Sequence, residues 1–428
     1  MVIYRTGTPS PPIHMPSVTL IRHAESQANH DGIWNGRIDG PLSPRGEASL
    51  EHLHARLTGR RFDLVISSPF ERAQRTAACF ADDYEISEEF IELDIGHWEG
   101  MTHQEILTYG GDRLREAIYG RELPMGETGE SLNQMHERVI RALDALIGRL
   151  GDDGHAVVVT HGGVIQEALQ RHLAGRSRRV HAYVANTSIT KLVWSYGRPR
   201  LAVFNDLGHF GPRSPLVESH LEQGDPVLAL VRHGRTKANI EGRWQGQGDW
   251  GLDEVGHQQA AALGDWYGPV ATVYSSPLGR ARATAGYLAS NGVVTMDGLK
   301  ELGMGEWEGL TSDEIHQRWP DLLETIYRDG VDLKRGGTGE SWGEMTGRFR
   351  ATIEAVRPTS GEPTAVVAHG GVIRAYVSSL TATTDSHSES LYTPQNASVT
   401  HVAMTDEGPL LLDYSVSTHL ESLPGVDQ

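Results

Sequence analysis

The chain has 428 residues, and its 38 basic and 56 acidic side chains give it a formal net charge of −18. This acidic balance argues against non-specific binding to nucleic acid or to an anionic membrane. Cys79 is the only cysteine, which excludes an intrachain disulfide, and no apolar run approaches membrane-spanning length. We therefore expect a cytoplasmic protein. Its length is sufficient for two or three domains.

Strand-like and helix-like segments alternate along most of the chain. They are preceded by residues 1–14, which are rich in proline, lack the apolar core of a signal peptide and are predicted to be a disordered tail. In the first half, β-branched runs predict strands at 18–22, 63–67, 156–160 and 187–194, and helical patterns occur at 70–81 and 164–173. In the second half, strands are predicted at 227–232, 272–275, 364–368 and 398–404. This alternation is typical of a mainly parallel sheet covered by helices.

Five blocks of sequence occur twice, in the same order and 208 to 210 residues apart. The paired blocks begin at Leu20 and Leu230, Ser67 and Ser275, Gly96 and Gly305, Thr128 and Thr338, and His161 and His369. Such spacing indicates duplication of a whole domain. We therefore predict a first domain at 15–211, a linker at 212–224 and a second domain at 225–424. Each domain is predicted to be a three-layer α/β unit, with a mainly parallel sheet flanked by helices.

Polar residues follow the predicted strands at the points where these strands end. Arg22 and His23 close the first strand, Ser68 follows the second, and His161 follows a later one, with counterparts in the second domain. Because ligands of such sheets bind beyond the carboxyl ends of the strands, we expect these side chains to form a site.

Two further features of each domain suit an anionic ligand. Arg72 and Arg280 lie in the repeated pattern Ser-Ser-Pro-x-x-Arg-Ala-x-x-Thr-Ala, at the mouth of the predicted site. A guanidinium group there can hold a phosphate through two parallel hydrogen bonds. The Gly-Gly pairs after His161 and His369 allow a close approach of the backbone and begin a helix whose free N–H groups suit an anion.

The ordered set of motifs resembles the histidine phosphatase superfamily, whose fold is phosphoglycerate mutase-like. The resemblance rests on Arg-His, Ser-Ser-Pro-x-x-Arg-Ala, Gly-x-Trp-Glu-Gly, Gly-Glu-Ser and a late His-Gly-Gly, and it covers residues 15–211 and 225–421. The sequence departs from the family pattern at Ala24, where glycine is usual, and at Arg235, where glutamate is usual. We expect Ala24 to be tolerated and Arg235 to add positive charge near the second site.

The resemblance implies a role for each matching residue. His23 and His233 are the expected nucleophiles, which become phosphohistidine, and Glu92 and Glu301 are the expected proton donors. The phosphoryl oxygens are expected to be bound by Arg22, Asn29, Arg72 and His161 in the first site and by Arg232, Asn239, Arg280 and His369 in the second. Glu99 and Glu308 are expected to be structural. Because arginines handle the charge, neither a metal nor a cofactor is expected.

These roles agree with what phosphoryl transfer requires. The reaction needs an in-line nucleophile, stabilisation of spread negative charge and a proton for the leaving alcohol. The two arginines beside each nucleophilic histidine should lower its pKa and keep the imidazole uncharged. The carboxylic acid can protonate the leaving group and then deprotonate the water that hydrolyses phosphohistidine.

Within the superfamily, the Gly-x-Trp-Glu-Gly element favours the phosphatase branch. The expected activity is hydrolysis of small phosphorylated metabolites, such as sugar, nucleotide or specialised-metabolite phosphates. Two alternatives stay open: a phosphoglycerate-type mutase, and a protein in which one domain is a non-catalytic phosphate-binding module. Substrate preference in this family depends on the segments at 101–127 and 310–337, which differ between the domains. Their cations are Arg113, Arg115 and Arg121 in the first and Arg318, Arg328, Lys334 and Arg335 in the second.

Overall fold

The computed structural model describes residues 15–173, 180–195, 197–327, 329–358, 361–381 and 390–423, apart from the side chain of Arg171. The predicted tail and Arg328 lie outside the described residues. The described chain forms two compact units, one within His14–Arg171 and Tyr183–His209, the other within His172–Ala182 and Phe210–Gln428. The exact domain boundaries stay a prediction.

Eight described strands and six described helices lie within residues 15–209. All belong to the first unit, apart from the last two residues of the sixth helix. The strands are β1 (Ser17–Arg22), β2 (Ile33–Trp34), β3 (Leu64–Ser67), β4 (Glu85–Ile86), β5 (Met101–Thr102), β6 (His155–Thr160), β7 (Ile189–Ser195) and β8 (Arg198–Asp206). The helices are α1 (Gln27–His30), α2 (Pro44–Leu57), α3 (Glu71–Ala78), α4 (His103–Gly120), α5 (Leu132–Arg149) and α6 (Gly162–Leu173).

The second unit has a similar order of elements, but among its described residues it has an additional helix before its first strand, no counterparts of β2 and β5, and two helices in the place of α4. Its strands are β9 (Val227–Arg232), β10 (Val273–Ser275), β11 (Val293–Thr295), β12 (Thr364–Ala368), β13 (Val399–Thr405) and β14 (Gly408–Leu411). Its helices are α7 (Pro215–Glu222), α8 (Lys237–Ile240), α9 (Glu254–Tyr267), α10 (Gly279–Gly286), α11 (Ser312–Arg318), α12 (Pro320–Tyr327), α13 (Trp342–Ala355) and α14 (Gly370–Leu380).

Each unit has one six-stranded sheet, in the order β4-β3-β6-β1-β7-β8 and β11-β10-β12-β9-β13-β14. The first four strands of each order run parallel to one another. The last two are the final strands of their unit in sequence, and each pairs antiparallel with the strand before it in the order. The prediction of two tandem, mainly parallel α/β domains is confirmed. The antiparallel edge strands β8 and β14 were not predicted from the sequence.

The central strands are buried because helices cover them. Both β1 and β6 are buried along almost their whole length, which explains their nearly continuous apolar sequences. Val157 and Val159 of β6 belong to a core cluster with Leu53 of α2 and with Ala73 and Ala77 of α3. An equivalent cluster in the second unit joins β9, β10 and β12 to α9 and α10.

The parallel register sets the carboxyl ends of the strands side by side. Arg22 lies opposite Thr160 in the β1–β6 pair, and Ser67 of β3 lies opposite Val159 of β6. His23, the first residue after β1, donates its backbone N–H to the Thr160 carbonyl at 2.9 Å. The predicted site residues of three strands are therefore brought to one edge of the sheet, and the second unit repeats this register.

The predicted linker contains helix α7. Ser214 caps this helix, since its hydroxyl accepts the backbone N–H of Val217 at 3.4 Å, and Pro215 occupies the first turn, where the missing N–H costs nothing. Val217 and Leu221 are buried in a cluster of the second unit. Among the described residues, no helix is both long enough and apolar enough to cross a membrane.

Candidate active sites

His23 begins the first site at the carboxyl end of β1. Its Nδ1 lies 2.7 Å from the carbonyl oxygen of Ala24, which can only accept, so Nδ1 carries the proton and Nε2 keeps its lone pair. The side chain is only 3% exposed. Burial, followed by the charges of Arg22 and Arg72, holds its pKa well below 6.5. The imidazole is therefore uncharged near neutral pH.

A second buried histidine faces the first. The ring centres of His23 and His161 are 5.0 Å apart, with the planes at 61°. The Nε2 atom of His161 lies 2.7 Å from the Ser68 hydroxyl, which fixes the ring orientation. Burial, then the proximity of His23 and Arg72, holds the pKa of His161 well below 6.5. Ser68 belongs to the Ser-Ser-Pro motif, but its contact with His161 was not predicted.

Main-chain carbonyls anchor the two arginines of the first site. Arg22 donates from Nη1 to the Val184 carbonyl at 2.6 Å, whereas its buried Nε has no hydrogen-bond partner among the described residues. Arg72 donates to the carbonyls of Ile38 and Gly36 at 3.0 and 3.1 Å. Because a buried N–H left unpaired is costly, the Nε group of Arg22 is suited to donate to a bound anion.

The carboxylate of Glu99 holds the loop that anchors Arg72. It accepts the backbone N–H groups of Arg37 and Ile38 at 2.8 and 3.3 Å. In the second unit, Glu308 accepts the N–H of Gly246 at 2.9 Å, and the Gly246 carbonyl accepts from Arg280. Both glutamates of the Trp-Glu-Gly element thus hold a loop whose carbonyl accepts from an arginine of the site.

Glu92 is held where the His-Gly-Gly turn enters α6. Its carboxylate accepts the backbone N–H of Gly163 at 3.1 Å and that of Leu93 at 2.9 Å. A Cβ at Gly163 would lie about 2.4 Å from the carboxylate, so a larger residue there would push Glu92 out of this position. Of the N–H groups at the start of α6, which were expected to suit an anionic ligand, that of Gly163 is therefore donated to Glu92.

In the second site, Arg280 joins the two histidines. Its Nε lies 3.2 Å from Nε2 of His233 and 3.2 Å from Nδ1 of His369. Nδ1 of His233 lies 2.7 Å from the Gly234 carbonyl, so this histidine has the same tautomer as His23. Burial, followed by Arg280 and Arg232, holds the pKa of His233 well below 6.5.

The other predicted residues of the second site occupy equivalent places. Arg232 donates to the Pro394 carbonyl at 2.6 Å, and its Nε has no partner in the described part of the chain. Burial lowers the pKa of Arg232 to about 10, which leaves it charged near neutral pH. Glu301 accepts the N–H groups of Gly371 and Leu302, both at 2.8 Å. These groups open onto a cavity of about 240 Å³, which His233, Arg280 and Asn239 also line.

Asn29 and Asn239 are engaged by residues that the sequence analysis missed. The amide of Asn186 donates to the His23 carbonyl at 2.8 Å and to Oδ1 of Asn29 at 3.2 Å. Asn396 makes the corresponding contacts in the second unit. The signal for this pair was a sixth repeated block, Asn-x-Ser followed by Ile or Val and then Thr, directly before β7 and β13.

Ala24 and Arg235, the two residues that depart from the family pattern, each make a local contact. The backbone N–H of Ala24 donates to the Thr76 hydroxyl at 2.9 Å. Arg235 forms an ion pair with Asp253 at 3.0 Å, so its charge is compensated locally rather than added to the cavity. Within the described ranges, no group of three or more His, Cys, Asp or Glu side chains is arranged to hold a metal ion.

The chain is similar to a known protein family and to several known proteins. A model of the histidine phosphatase superfamily (branch 1) matches residues 18–207 and again residues 228–417. A metal-independent phosphoserine phosphatase of Arabidopsis thaliana is 35% identical over 216 residues, which cover 48% of this chain and 87% of that protein. The adenosylcobalamin/alpha-ribazole phosphatase of Escherichia coli (strain K12) is 33% identical over 36% of this chain and 76% of that protein.

A solved structure is also similar to part of the chain. The alpha-ribazole phosphatase from Shigella flexneri has 27% sequence identity and a TM-score of 0.39, and the match covers 44% of this chain and 96% of that one. The family match in two tandem copies confirms the resemblance found in the sequence, and each copy contains its own Arg-His and His-Gly-Gly motifs.

The protonation state of the two strand-end histidines can be measured directly. We expect His23 and His233 to remain neutral, with the proton on Nδ1, at pH 6.5, where an ordinary histidine is half protonated. Since their pKa is lowered by folding, their contribution to stability is complete above pH 6.5 and is lost as the pH falls towards the folded-state pKa. Nitrogen-15 shifts of labelled protein, assigned with the variants H23A and H233A, test this. Imidazolium signals at pH 6.5 would contradict it.

Proposed function

We propose, since this chain belongs to the histidine phosphatase superfamily, that each of its two domains hydrolyses small phosphate monoesters through a phosphohistidine intermediate, without a metal. The chain is a phosphatase of the hydrolase class. One observation carries the two-site proposal: both domains hold a buried, uncharged imidazole whose Nε2 is unprotonated, beside two anchored arginines and a carboxyl group. In the second domain this Nε2 accepts a hydrogen bond from Nε of Arg280, a donor that can turn to a phosphoryl oxygen when substrate binds.

In the proposed first step, Nε2 of His23 or His233 attacks the phosphorus atom of the ester. A bond forms between nitrogen and phosphorus while the bond from phosphorus to the alcohol oxygen breaks. The carboxylic acid of Glu92 or Glu301 gives its proton to the departing oxygen, because an alkoxide is a poor leaving group. The products are an alcohol, a phosphohistidine and a carboxylate.

The arginines stabilise the charge that spreads over the phosphoryl oxygens. The buried Nε groups of Arg22 and Arg232 are donors without a partner among the described residues, so they can bind a phosphoryl oxygen without giving up another contact. Arg72 and Arg280 are held by loop carbonyls before substrate arrives. Donors fixed in advance cost little reorganisation when the transition state forms.

In the proposed second step, water attacks the phosphohistidine. The carboxylate of Glu92 or Glu301 removes a proton from this water, the bond from nitrogen to phosphorus breaks, and inorganic phosphate leaves. The imidazole and the carboxylic acid return to their starting states. The same carboxyl group therefore acts first as acid and then as base, which its fixed place beside the His-Gly-Gly turn permits.

The substrates are proposed to be small phosphorylated metabolites. One relative is named as a phosphoserine phosphatase and another as an adenosylcobalamin/alpha-ribazole phosphatase, and phosphoserine is a small phosphate ester. Sugar, nucleotide and specialised-metabolite phosphates belong to the same class and form the panel with which to begin.

Phosphate release from the two single histidine variants tests the function. We expect H23A and H233A each to keep the activity of the intact site. The rate of the double variant should be at least a factor of about a thousand below the wild-type rate, because no nucleophile remains. The measurement is inorganic phosphate released from a panel of monoesters. H257A, which changes an exposed histidine of α9, is the matched control.

Other outcomes of that experiment identify the alternatives. Full turnover by the double variant would refute the phosphohistidine mechanism. Wild-type activity in one single variant and none in the other would show that one domain only binds phosphate. Transfer that depends on a bisphosphoglycerate primer and releases no phosphate would instead indicate a mutase.

Leaving-group dependence tests the proton donors. We expect E92Q and E301Q, each made in the chain whose other site is silenced, to lose about a hundredfold or more in kcat on an alkyl phosphate, which needs the proton. The leaving group of p-nitrophenyl phosphate departs as a stable anion. On this substrate the rate of the first step, measured by the burst of p-nitrophenol, should therefore fall much less. Equal losses on the two substrates would contradict the assignment.

A further inference from the structure

The cavity of the second domain contains more positive charge than a single phosphoryl group requires. Besides Arg232 and Arg280, its lining includes Arg243, Arg335 and Arg374. Glu301 is the only carboxylate among the described residues that line it. Five arginines therefore line a cavity of about 240 Å³, and two of them, Arg243 and Arg335, also form ion pairs with carboxylates that are not among its described lining residues.

The first domain has uncharged residues at the three additional positions. Arg335 corresponds to Met125: each donates its backbone N–H to the carbonyl five residues later, and the glycine after each has a φ near 53° or 51°. Arg374 corresponds to Gln166, since each is the fifth residue after the buried histidine of its site. Arg243 corresponds to Ile33, because each precedes the tryptophan whose carbonyl accepts the glycine N–H of Trp-Glu-Gly.

The three additional arginines differ in how far their charge is already compensated. Arg243 forms ion pairs with Glu241 at 2.6 Å and Glu314 at 3.4 Å, which satisfy it at the rim. Arg335 is almost completely buried and lies 3.3 Å from Asp332. Arg374 also lines the cavity, beside Trp342 and Thr393.

The position of Arg374 is set by groups that also line the cavity. Its guanidinium carbon lies 5.0 Å from the ring centre of Trp342, and its Nη1 lies 3.4 Å from the Thr393 hydroxyl. Stacking on an aromatic ring leaves the edge of a guanidinium group able to bind a carboxylate or a phosphate. The arginine is therefore oriented before any ligand arrives.

The corresponding region of the first domain is compensated. Arg121 there forms an ion pair at 2.6 Å with Glu167, a buried carboxylate that directly follows Gln166. In the second domain, Ala375 takes the place of Glu167. The two domains thus differ at two successive positions of this helix, where Gln166 and Glu167 in the first correspond to Arg374 and Ala375 in the second.

We propose that the second site selects phosphate esters that carry a second anionic group, a carboxylate or another phosphate, and that Arg335 and Arg374 bind this group. The first site, with Met125 and Gln166 in their places, takes esters whose remaining part is uncharged. This proposal rests on the phosphatase function proposed above. In this arrangement the phosphoryl group lies against His233, Arg232 and Arg280, and the second anion accepts hydrogen bonds from the guanidinium groups of Arg335 and Arg374 across the cavity.

Exchanging the two domains' residues tests the proposal. In the full chain with H23A, so that only the second site turns over, kcat/KM is measured for glucose 1-phosphate, 3-phosphoglycerate and fructose 1,6-bisphosphate. R374Q and R335M, which introduce the residues of the first domain, should each lower the ratio of charged to neutral ester by about tenfold or more. The two charged esters identify whether a carboxylate or a second phosphate is preferred.

Two controls separate selectivity from other effects. R318Q removes an exposed arginine of α11 outside the cavity and should leave the ratio unchanged. Q166R in the H233A chain should raise the ratio for the first site. If thermal unfolding shows that R335M is destabilised, R374Q and Q166R decide the matter.

The possible failures are distinguishable. Equal losses on neutral and charged esters in R374Q, or an unchanged ratio, would overturn the selectivity while leaving the phosphatase function intact. Absence of phosphate release from every ester in the chain with both histidines would overturn the proposed function itself.

Discussion

The uncharged, buried imidazole at the end of the first strand of each domain is the feature on which the rest of the site depends. Burial removes the water that would stabilise an imidazolium, and two guanidinium groups oppose its positive charge. The hydrogen bond from Nδ1 to the next carbonyl places the proton on Nδ1 and leaves Nε2 unprotonated, although Nε2 of His233 accepts from Arg280. The same arginines that keep the nucleophile neutral are placed to bind the phosphoryl oxygens, so one arrangement meets both requirements.

The sheet supplies this arrangement through its register. Parallel strands end at one edge, so residues far apart in sequence become neighbours, as His23, Ser68 and His161 do. Much of this was predictable, because β-branched runs and repeated motifs marked the strand ends in both halves. The antiparallel edge strands β8 and β14 were harder to predict, since each has a proline at its second position, which disfavours a strand in a sequence pattern.

The details of the site depend on contacts that motifs do not encode. The sequence suggested that arginines lower the nucleophile pKa, whereas burial is the larger cause, and burial follows from packing of the whole domain. The contact of Asn186 with His23 joins residues 163 positions apart. Arg335 lay in a segment expected to set substrate preference, but Arg374 comes from α14, and only the folded chain brings both to one cavity. The duplication thus preserved the reacting groups while the surrounding residues diverged.

Direct observation of the covalent intermediate tests the central claim most sharply. Wild-type protein is mixed with a rapidly cleaved phosphate ester, quenched at alkaline pH within the first turnover, and mapped by peptide mass spectrometry. The account predicts phosphoryl groups on His23 and on His233. A phosphoryl group on another residue, or turnover without any phosphorylated histidine in either domain, would contradict it.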